Sequence, residues 1–482
     1  MFQGNQNPNQ SYQQGAISSL VQKALTTATG SAQALTPQHL EKLITTTIVR
    51  LLPEIAVIDP TFDAQRYHEF NRLTSLPTGQ GAIGESAVTP TSQSTYERTG
   101  RVLKVTRAKG AVSNFLMDAS KGYVDALSIE MENHVQAHAY NLVFQIHYGN
   151  DQADPYMFPG LDTFIQTNRN STAISGVRGG TVPTDLSFLD DMIDINKSYQ
   201  GANHKKAFMM TPAMLSKVSR LLTNVRLNQN SVGGGLSTVE IPGGWRLQAY
   251  RDIPIIETSQ LRNDSTMGTV TASKTDSGGS VAAGTYYFQV SYVDLNGESI
   301  ACAEQSVAPT GGASVVTLTF ADVPSARLYR VYCSTTSGAE KLVSIIPANQ
   351  YDASGTPTAR TTTVTYSTTP TAINPTVSAP AGLVSTIPAG AAPVTTAMNN
   401  DVPIVQTGGV TPERVILWDL DKIQGLGKFA YTNSSGSRFG GLVTMEPLAK
   451  TDDNNPFMIK TYGTLIDSFE KTSCMAQQLR RA

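Results

Sequence analysis

Charge is scarce in this chain. Only 15% of its 482 residues are Asp, Glu, Lys or Arg, against about a quarter in ordinary globular proteins. The two signs nearly cancel, 36 basic against 38 acidic residues for a formal net charge of −2. That balance argues against a protein that grips nucleic acid through its overall field. Cysteine is scarce too. Cys302, Cys333 and Cys474 form an odd, dispersed set without a CxxC pair, so the sequence spells neither a disulfide framework nor a zinc module. They read as small apolar fillers made in a reducing compartment, with a Cys302–Cys333 bond as the alternative. No apolar run approaches the roughly 20 residues of a membrane helix. Met1 to Ser19 carries no charged side chain, hence no cationic leader region. The expectation is a soluble, non-exported chain.

What replaces charge is uncharged polarity: Ser, Thr, Asn, Gln and 39 Gly. For a monomer this is a solubility problem. Residues 1–16 are rich in Gln, Asn and Gly and would not order alone; a neighbouring chain is the natural agent to hold them. Two short helical patterns follow, Ile17–Leu25 and then Leu40 to Ile48 after Thr36-Pro37. Residues 66–112 read as a long arm. Pro77, Gly79, Gly81, Gly84 and Pro90 break any helix, and Arg101–Val112 then alternates as a strand does. A stretch this poor in apolar residues cannot build its own core. Laid on a neighbouring copy, it can be stable.

Val124, Leu127, Met131, Val135, Ala139, Leu142 and Ile146 recur at spacings of three and four. They predict one long helix from Ala119 to Tyr148, ended by Gly149-Asn150. A Phe158-Pro159-Gly160-Leu161 turn comes next. Helices are expected over Leu186–Tyr199 and Pro212–Leu222, and strands over Ala207–Met210, Trp245–Tyr250 and Ile253–Glu257. The composition then shifts: residues 265–398 hold 12 charged residues in 134, and none after Arg360. Short alternating strands separated by Gly turns predict a β-sandwich of about 100 residues, closed by an uncharged Pro/Ala/Gly linker. Val415–Asp419, Leu442–Pro447 and Phe457–Thr464 return to the earlier mixed style as strands, so the sandwich reads as an insertion into a parent domain.

Motifs that could carry chemistry are weak. Gly79 to Gly84 spells G-x-G-x-x-G, but Pro77 precedes it and Thr89-Pro90 follows, without the strand and helix a phosphate cradle needs. His134 and His138 stand one turn apart near Glu130 with no third ligand evident. Asp452 to Asn455 is an oxygen-rich turn without a calcium loop's closing Glu. There is no nucleophile elbow and no P-loop. No enzyme activity, metal or cofactor is therefore expected. The basic residues of the arm, Arg98, Arg101, Lys104, Arg107 and Lys109, lack the interleaved aromatics of a nucleic-acid surface and are read as inter-subunit ion-pair donors.

Taken together, the order of elements resembles the major capsid protein of tailed bacteriophages, the fold named after the Hong Kong phage. The likeness rests on the polar N-terminal arm, the basic β-arm, the helix ending in Gly-Asn and Phe158-Pro159-Gly160-Leu161. It rests also on Phe208-Met209-Met210-Thr211-Pro212, Arg251-Asp252-Ile253-Pro254-Ile255 and the tail from Phe457 to Leu465. Ala283 to Tyr287, Asn296 to Ser299 and Ala326 to Tyr332 make the insert resemble immunoglobulin-like or fibronectin-type modules.

The implied fold class is α+β. Residues 1–60 would be the N-terminal arm, 61–112 the extended loop and 113–150 the spine helix of a peripheral domain. Residues 151–264 and 399–440 would form an axial domain, 265–398 the inserted sandwich, and 441–482 the returning peripheral strands. The implied function is self-assembly into hexamers and pentamers of an icosahedral phage head. Such a head encloses double-stranded DNA without sequence-specific binding and is built in the bacterial cytoplasm. The resemblance implies a separate scaffolding protein or none, allows portal and decoration proteins as partners, and implies no membrane. Some capsids of this fold cross-link a loop lysine to a neighbour's asparagine, but nothing in this sequence singles out Lys104 or Lys109 with Asn454 or Asn455 for that bond. The sandwich is expected to project outward as decoration, host-surface attachment or shell reinforcement, and its removal to leave assembly intact; a parent domain that instead loses solubility would make it part of the shell. The alternative is a phage tail or adhesion protein that binds glycans through the sandwich.

Overall fold

The computed structural model describes residues 54–58, 61–62, 67–77, 91–120, 125–170, 173–174, 182–199, 201–229, 237–241, 245–311, 313–352, 356–370, 401–406, 409–427, 431–432, 438–439, 443–449 and 453–481. The tail, both N-terminal helical patterns, the G-x-G-x-x-G stretch and the Pro/Ala/Gly linker lie outside the described residues. The chain is a mixed α+β protein with many sheets and few helices.

The expected thirty-residue helix is two. Asn114–Ser120 forms a first short helix and Ala126–Tyr148 the long one. Asp125 explains the restart: its carboxylate accepts from the Leu127 and Ser128 backbone N–H at 3.1 and 3.3 Å, a side-chain N-cap that begins a new helix. The apolar stripe is buried only at its C-terminal end, Leu142 and Ile146, whereas Leu127, Met131 and Val135 are half-buried. Gly149 and Phe158–Leu161 close the helix together. The Gly160 N–H donates to Gly149 O at 2.8 Å. A Cβ on Gly149 would lie 2.1 Å from Phe158 O, and one on Gly160 would lie 2.4 Å from Gln145 O. Only glycine allows this approach.

The long helix packs along a five-stranded sheet built around the strand Asn454–Asp467. That strand pairs antiparallel with Lys104–Ser113 through residues 454–463, with Ile423–Gly427 through 463–467 and with Val443–Pro447. A second, six-stranded sheet has the order Cys474–Leu479, Glu413–Asp419, Lys206–Met210, Ile253–Glu257, Trp245–Tyr250, Ser237–Ile241. Alternation along its central strands separates two cores. Phe208, Met210, Val415 and Leu417 meet the helices Ser187–Ser198 and Pro212–Gln229, while Ala207, Met209, Ile416 and Trp418 meet Leu142, Ile146, Leu161 and Ile165. Thr211-Pro212 starts the second helix, with the Met214 N–H donating to the Thr211 hydroxyl at 3.2 Å and proline at the first helical position, where no N–H is needed.

After Glu257 the chain leaves this sheet, and it returns at Glu413. Between them one sheet holds Gly297–Glu298, Tyr286–Asp294, Leu328–Ser334 and Lys341–Pro347, with Gln305–Val307 added, and another holds Thr363–Tyr366, Val315–Phe320 and Val270–Thr275. Phe288, Val290, Tyr329 and Val331 from the first and Val316, Leu318 and Val364 from the second share one apolar core, so the two form a sandwich. Cys302 and Cys333 are buried in it as free thiols and form no bond; Cys474 is free and buried in the six-stranded sheet.

Candidate functional site

Two regions stand out: an arm with almost nothing buried, and a junction where charges are buried deeply. The arm is a hairpin of Tyr67–Ser75 and Thr95–Val102, whose register places Arg72 opposite Glu97 and Leu73 opposite Tyr96. About nine residues of strand reach roughly 30 Å. Among the described residues of the two strands, none is buried. Leu76 is 74% exposed and Tyr96 71%, with Leu73 close by in register. The hairpin holds itself together by backbone pairing and two cross-strand ion pairs, Arg72–Glu97 at 3.3 Å and Arg98–Glu69 at 3.4 Å. Exposed pairs of this kind contribute little to stability. A hairpin alone is at best marginal in water, and among the described residues nothing buries Leu73, Leu76 or Tyr96.

At its root the arm meets the body. Phe70 packs on Leu103 and Ile466. The Arg101 guanidinium lies 5.1 Å from the centre of the Phe164 ring. Of the five basic residues expected to donate between subunits, Arg98 is committed within the hairpin and Arg101 at the root. Lys104 donates to Pro155 O at 2.6 Å. Arg107 and Lys109 are exposed on the body strand Lys104–Ser113. The structure thus divides a set that reads in sequence as one patch. Beside them the short helix exposes Phe115, at 80%, and Leu116.

The junction was not legible as a site. Asp162 lies in the short helix Leu161–Phe164 and Arg169 just after it, Glu298 and Arg330 come from the sandwich, Asp401 from the returning chain and Arg414 from the six-stranded sheet. All six are buried. Arg169 reaches Asp401 at 2.7 Å and Asp162 at 3.0 Å. Arg330 bonds Glu298 and Asp401, each at 2.9 Å, and also Asp162. Arg414 joins Asp162 at 3.3 Å and bonds Glu298. Three cations and three anions neutralise one another. Burial pushes the Asp162 carboxyl up, but Arg169, Arg330 and Arg414 together hold it down, at about 2. Ser291 and Tyr332 hydroxyls donate to Glu298. The Arg414 guanidinium lies over the Tyr148 ring at 5.5 Å, and burial pushes the Tyr148 phenol up to about 12. An apolar contact flanks the charges: Phe144 and Tyr148 of the long helix against Val293 and Leu328 of the sandwich. The one sequence signal was a lone Arg330 inside an otherwise apolar strand, Leu328–Ser334.

The weaker motifs resolve into structure. His138 bonds the Thr461 hydroxyl at 2.8 Å, and His134 lies against Phe457 with ring centres 5.2 Å apart. The turn at Asp453 to Asn455 binds Asn114: the Asn114 N–H donates to Asp453 O at 3.0 Å and Asn455 Nδ2 donates to Asn114 Oδ1 at 2.6 Å. Among the described residues no three His, Cys, Asp or Glu side chains are grouped to hold a metal ion, and no helix is long and apolar enough to cross a membrane.

No family model matches the chain, and no curated protein matches it. Solved structures with a similar layout include the capsid asymmetric unit of cyanophage A-1(L), at TM-score 0.46 and 10% identity over 92% of this chain and 97% of that one. A holo-SrpI encapsulin complex from Synechococcus elongatus gives 0.42 and 8% over 94% and 95%. The capsid of a native GTA particle gives 0.41 and 9% over 95% and 98%. Each of these scores is below 0.5, so the likenesses stand as observations of layout.

Proposed function

We propose that this chain is a structural subunit that assembles into a closed shell, a major capsid protein of the tailed-phage type. The observation that carries the reading is the arm: a hairpin of roughly 30 Å with no buried residue on its described strands and with Leu73, Leu76 and Tyr96 exposed. Each such side chain gains about 1.5–3 kcal/mol on full burial, which a neighbouring copy can supply. A hairpin projecting from one edge onto a different surface of the next copy makes a head-to-tail contact, and such contacts close into rings. Hexamers and pentamers in a virion head enclosing DNA follow from the resemblance in the order of elements. So does a separate scaffolding protein, or none. The role is mechanical, not catalytic. The sandwich is an immunoglobulin-like module, and the junction charges hold it to the body.

The glycan-binding alternative needs exposed aromatic side chains on the sandwich. Among the described residues, the exposed large hydrophobics include none between Tyr156 and Val405. Negative-stain microscopy of the expressed chain, with and without a co-expressed scaffold, tests the proposal. Capsomer rings or shells support it, and dispersed monomers at high concentration overturn it.

A further inference from the structure

The long helix enters the core at His138. On Ala126–Tyr148 the residues before it are exposed or half-buried, whereas Tyr140 and Leu142 to Tyr148 are buried. His138 itself is 2% exposed, and its Nε2 lies 2.8 Å from the Thr461 hydroxyl of the central strand. Among the described residues its buried Nδ1 has no hydrogen-bond partner. Nor does any packed element turn a carboxylate toward it. The central strand faces the helix with Phe457, Ile459 and Thr461, while Lys460 alternates to the other side. Strand Lys104–Ser113 brings Thr106, which stands opposite Thr461 and accepts from Gln145 Nε2 at 3.2 Å; its Arg107 and Lys109 are exposed on the far side. On the helix itself, His134 and Glu130 pair with each other at 3.6 Å, and Glu132 is exposed. The other buried imidazole of this helix differs: His147 meets the Glu54 carboxylate at 3.0 Å.

We propose that His138 is an acid-sensitive seat for the N-terminal half of the long helix. Neutral, the imidazole closes the helix onto the central strand through Thr461. Protonated, it is a buried charge with no carboxylate beside it. Lifting residues 126–138 off the sheet returns that charge to water, while Leu142 and Ile146 stay held in their own core. The direction follows from the two positions of the ring. Seated, burial holds the imidazole below its ordinary value; lifted, it titrates near 6.5 like any exposed histidine. The lifted form therefore binds the proton more tightly, so proton uptake favours lifting. Seating is fully favoured above about 6.5 and weakens as pH falls toward the seated value. Each pKa unit between the two positions is about tenfold in the lifting equilibrium. The inference concerns one copy's own helix and stands apart from the shell reading.

Hydrogen–deuterium exchange of the full-length chain from about pH 5 to about pH 8, corrected for intrinsic rates, reads the seat directly. Residues 126–138 should exchange about tenfold faster at the acid end, while residues 142–148 and strands 206–210 and 413–419 stay protected. His138→Gln can still bond the Thr461 hydroxyl but takes up no proton, so the acid acceleration should vanish. Thr461→Asp supplies the missing carboxylate and should keep residues 126–138 protected in acid. If His138→Gln disturbs the fold, Thr461→Asp decides. A wild type without acid acceleration in 126–138, or either variant retaining it, overturns the proposal.

Discussion

The arm and the junction are opposite uses of charge in one chain. In the arm, Arg98 and Glu69 meet at 3.4 Å in open solvent with the arginine side chain 70% exposed, where a pair is worth at most about 1 kcal/mol. In the junction, Arg330 meets three carboxylates with its own side chain 1% exposed, where losing one partner leaves an uncompensated buried charge. The lesson is that the arm's charges lie in solvent, whereas the sandwich is fixed to the body by buried ones. The expectation that the sandwich is a removable decoration fits this junction poorly, because the contact buries Phe144 and Tyr148 along with the charges.

Deleting residues 265–398 should therefore have the largest effect. It removes Glu298 and Arg330 and uncovers the apolar face of the long helix, so the remaining body should lose solubility, read as the soluble fraction on expression. A soluble, folded body would place the junction among dispensable contacts. Next, Arg330→Ala should destabilise by about 3–5 kcal/mol in chemical unfolding, with both sandwich and body losing protection together. An effect confined to the sandwich would break the comparison.

Asp467→Asn sharpens it at the arm root. A carboxyl whose folded pKa is raised contributes stability that is fully present below its unfolded value near 4 and is lost as pH rises through about 7. The variant should melt higher than wild type at pH 8.5, by on the order of 2–4 kcal/mol in stability, and equally at pH 4. Arg72 and Arg101 offset only part of the burial cost. The smallest effect is expected from Asp125→Ala, about 1 kcal/mol, felt in exchange at the start of the long helix and nowhere else.

Local patterns were legible because neighbours in sequence decide them. Phe208 and Met210 alternate with Ala207 and Met209 on a strand, Leu142 and Ile146 recur on a helix, and Gly149 marks its end. The helix break at Asp125 was hidden because the apolar spacing runs through it, and only the cap chemistry reveals the restart. The junction was not legible because its partners are remote: Arg330 and Asp162 are 168 positions apart, Arg414 and Asp162 252. The five basic arm residues looked equivalent in sequence, but strand register separates them. Tyr96 and Leu76 were present as isolated apolar residues in a polar stretch, and no periodicity marks them. The scarcity of charge acquires a location too: three of the few charges in the sandwich region and its return, Glu298, Arg330 and Asp401, are not on the surface at all.

The central claim, that the arm is completed by another copy, is tested most directly by sedimentation velocity of the wild type beside a Leu73→Thr, Leu76→Thr, Tyr96→Thr variant. These residues are exposed in the single chain, so the variant should melt within about 0.5 kcal/mol of wild type. The account predicts ring- or shell-sized species for the wild type and only monomer for the variant. Equal distributions for the two proteins would contradict it.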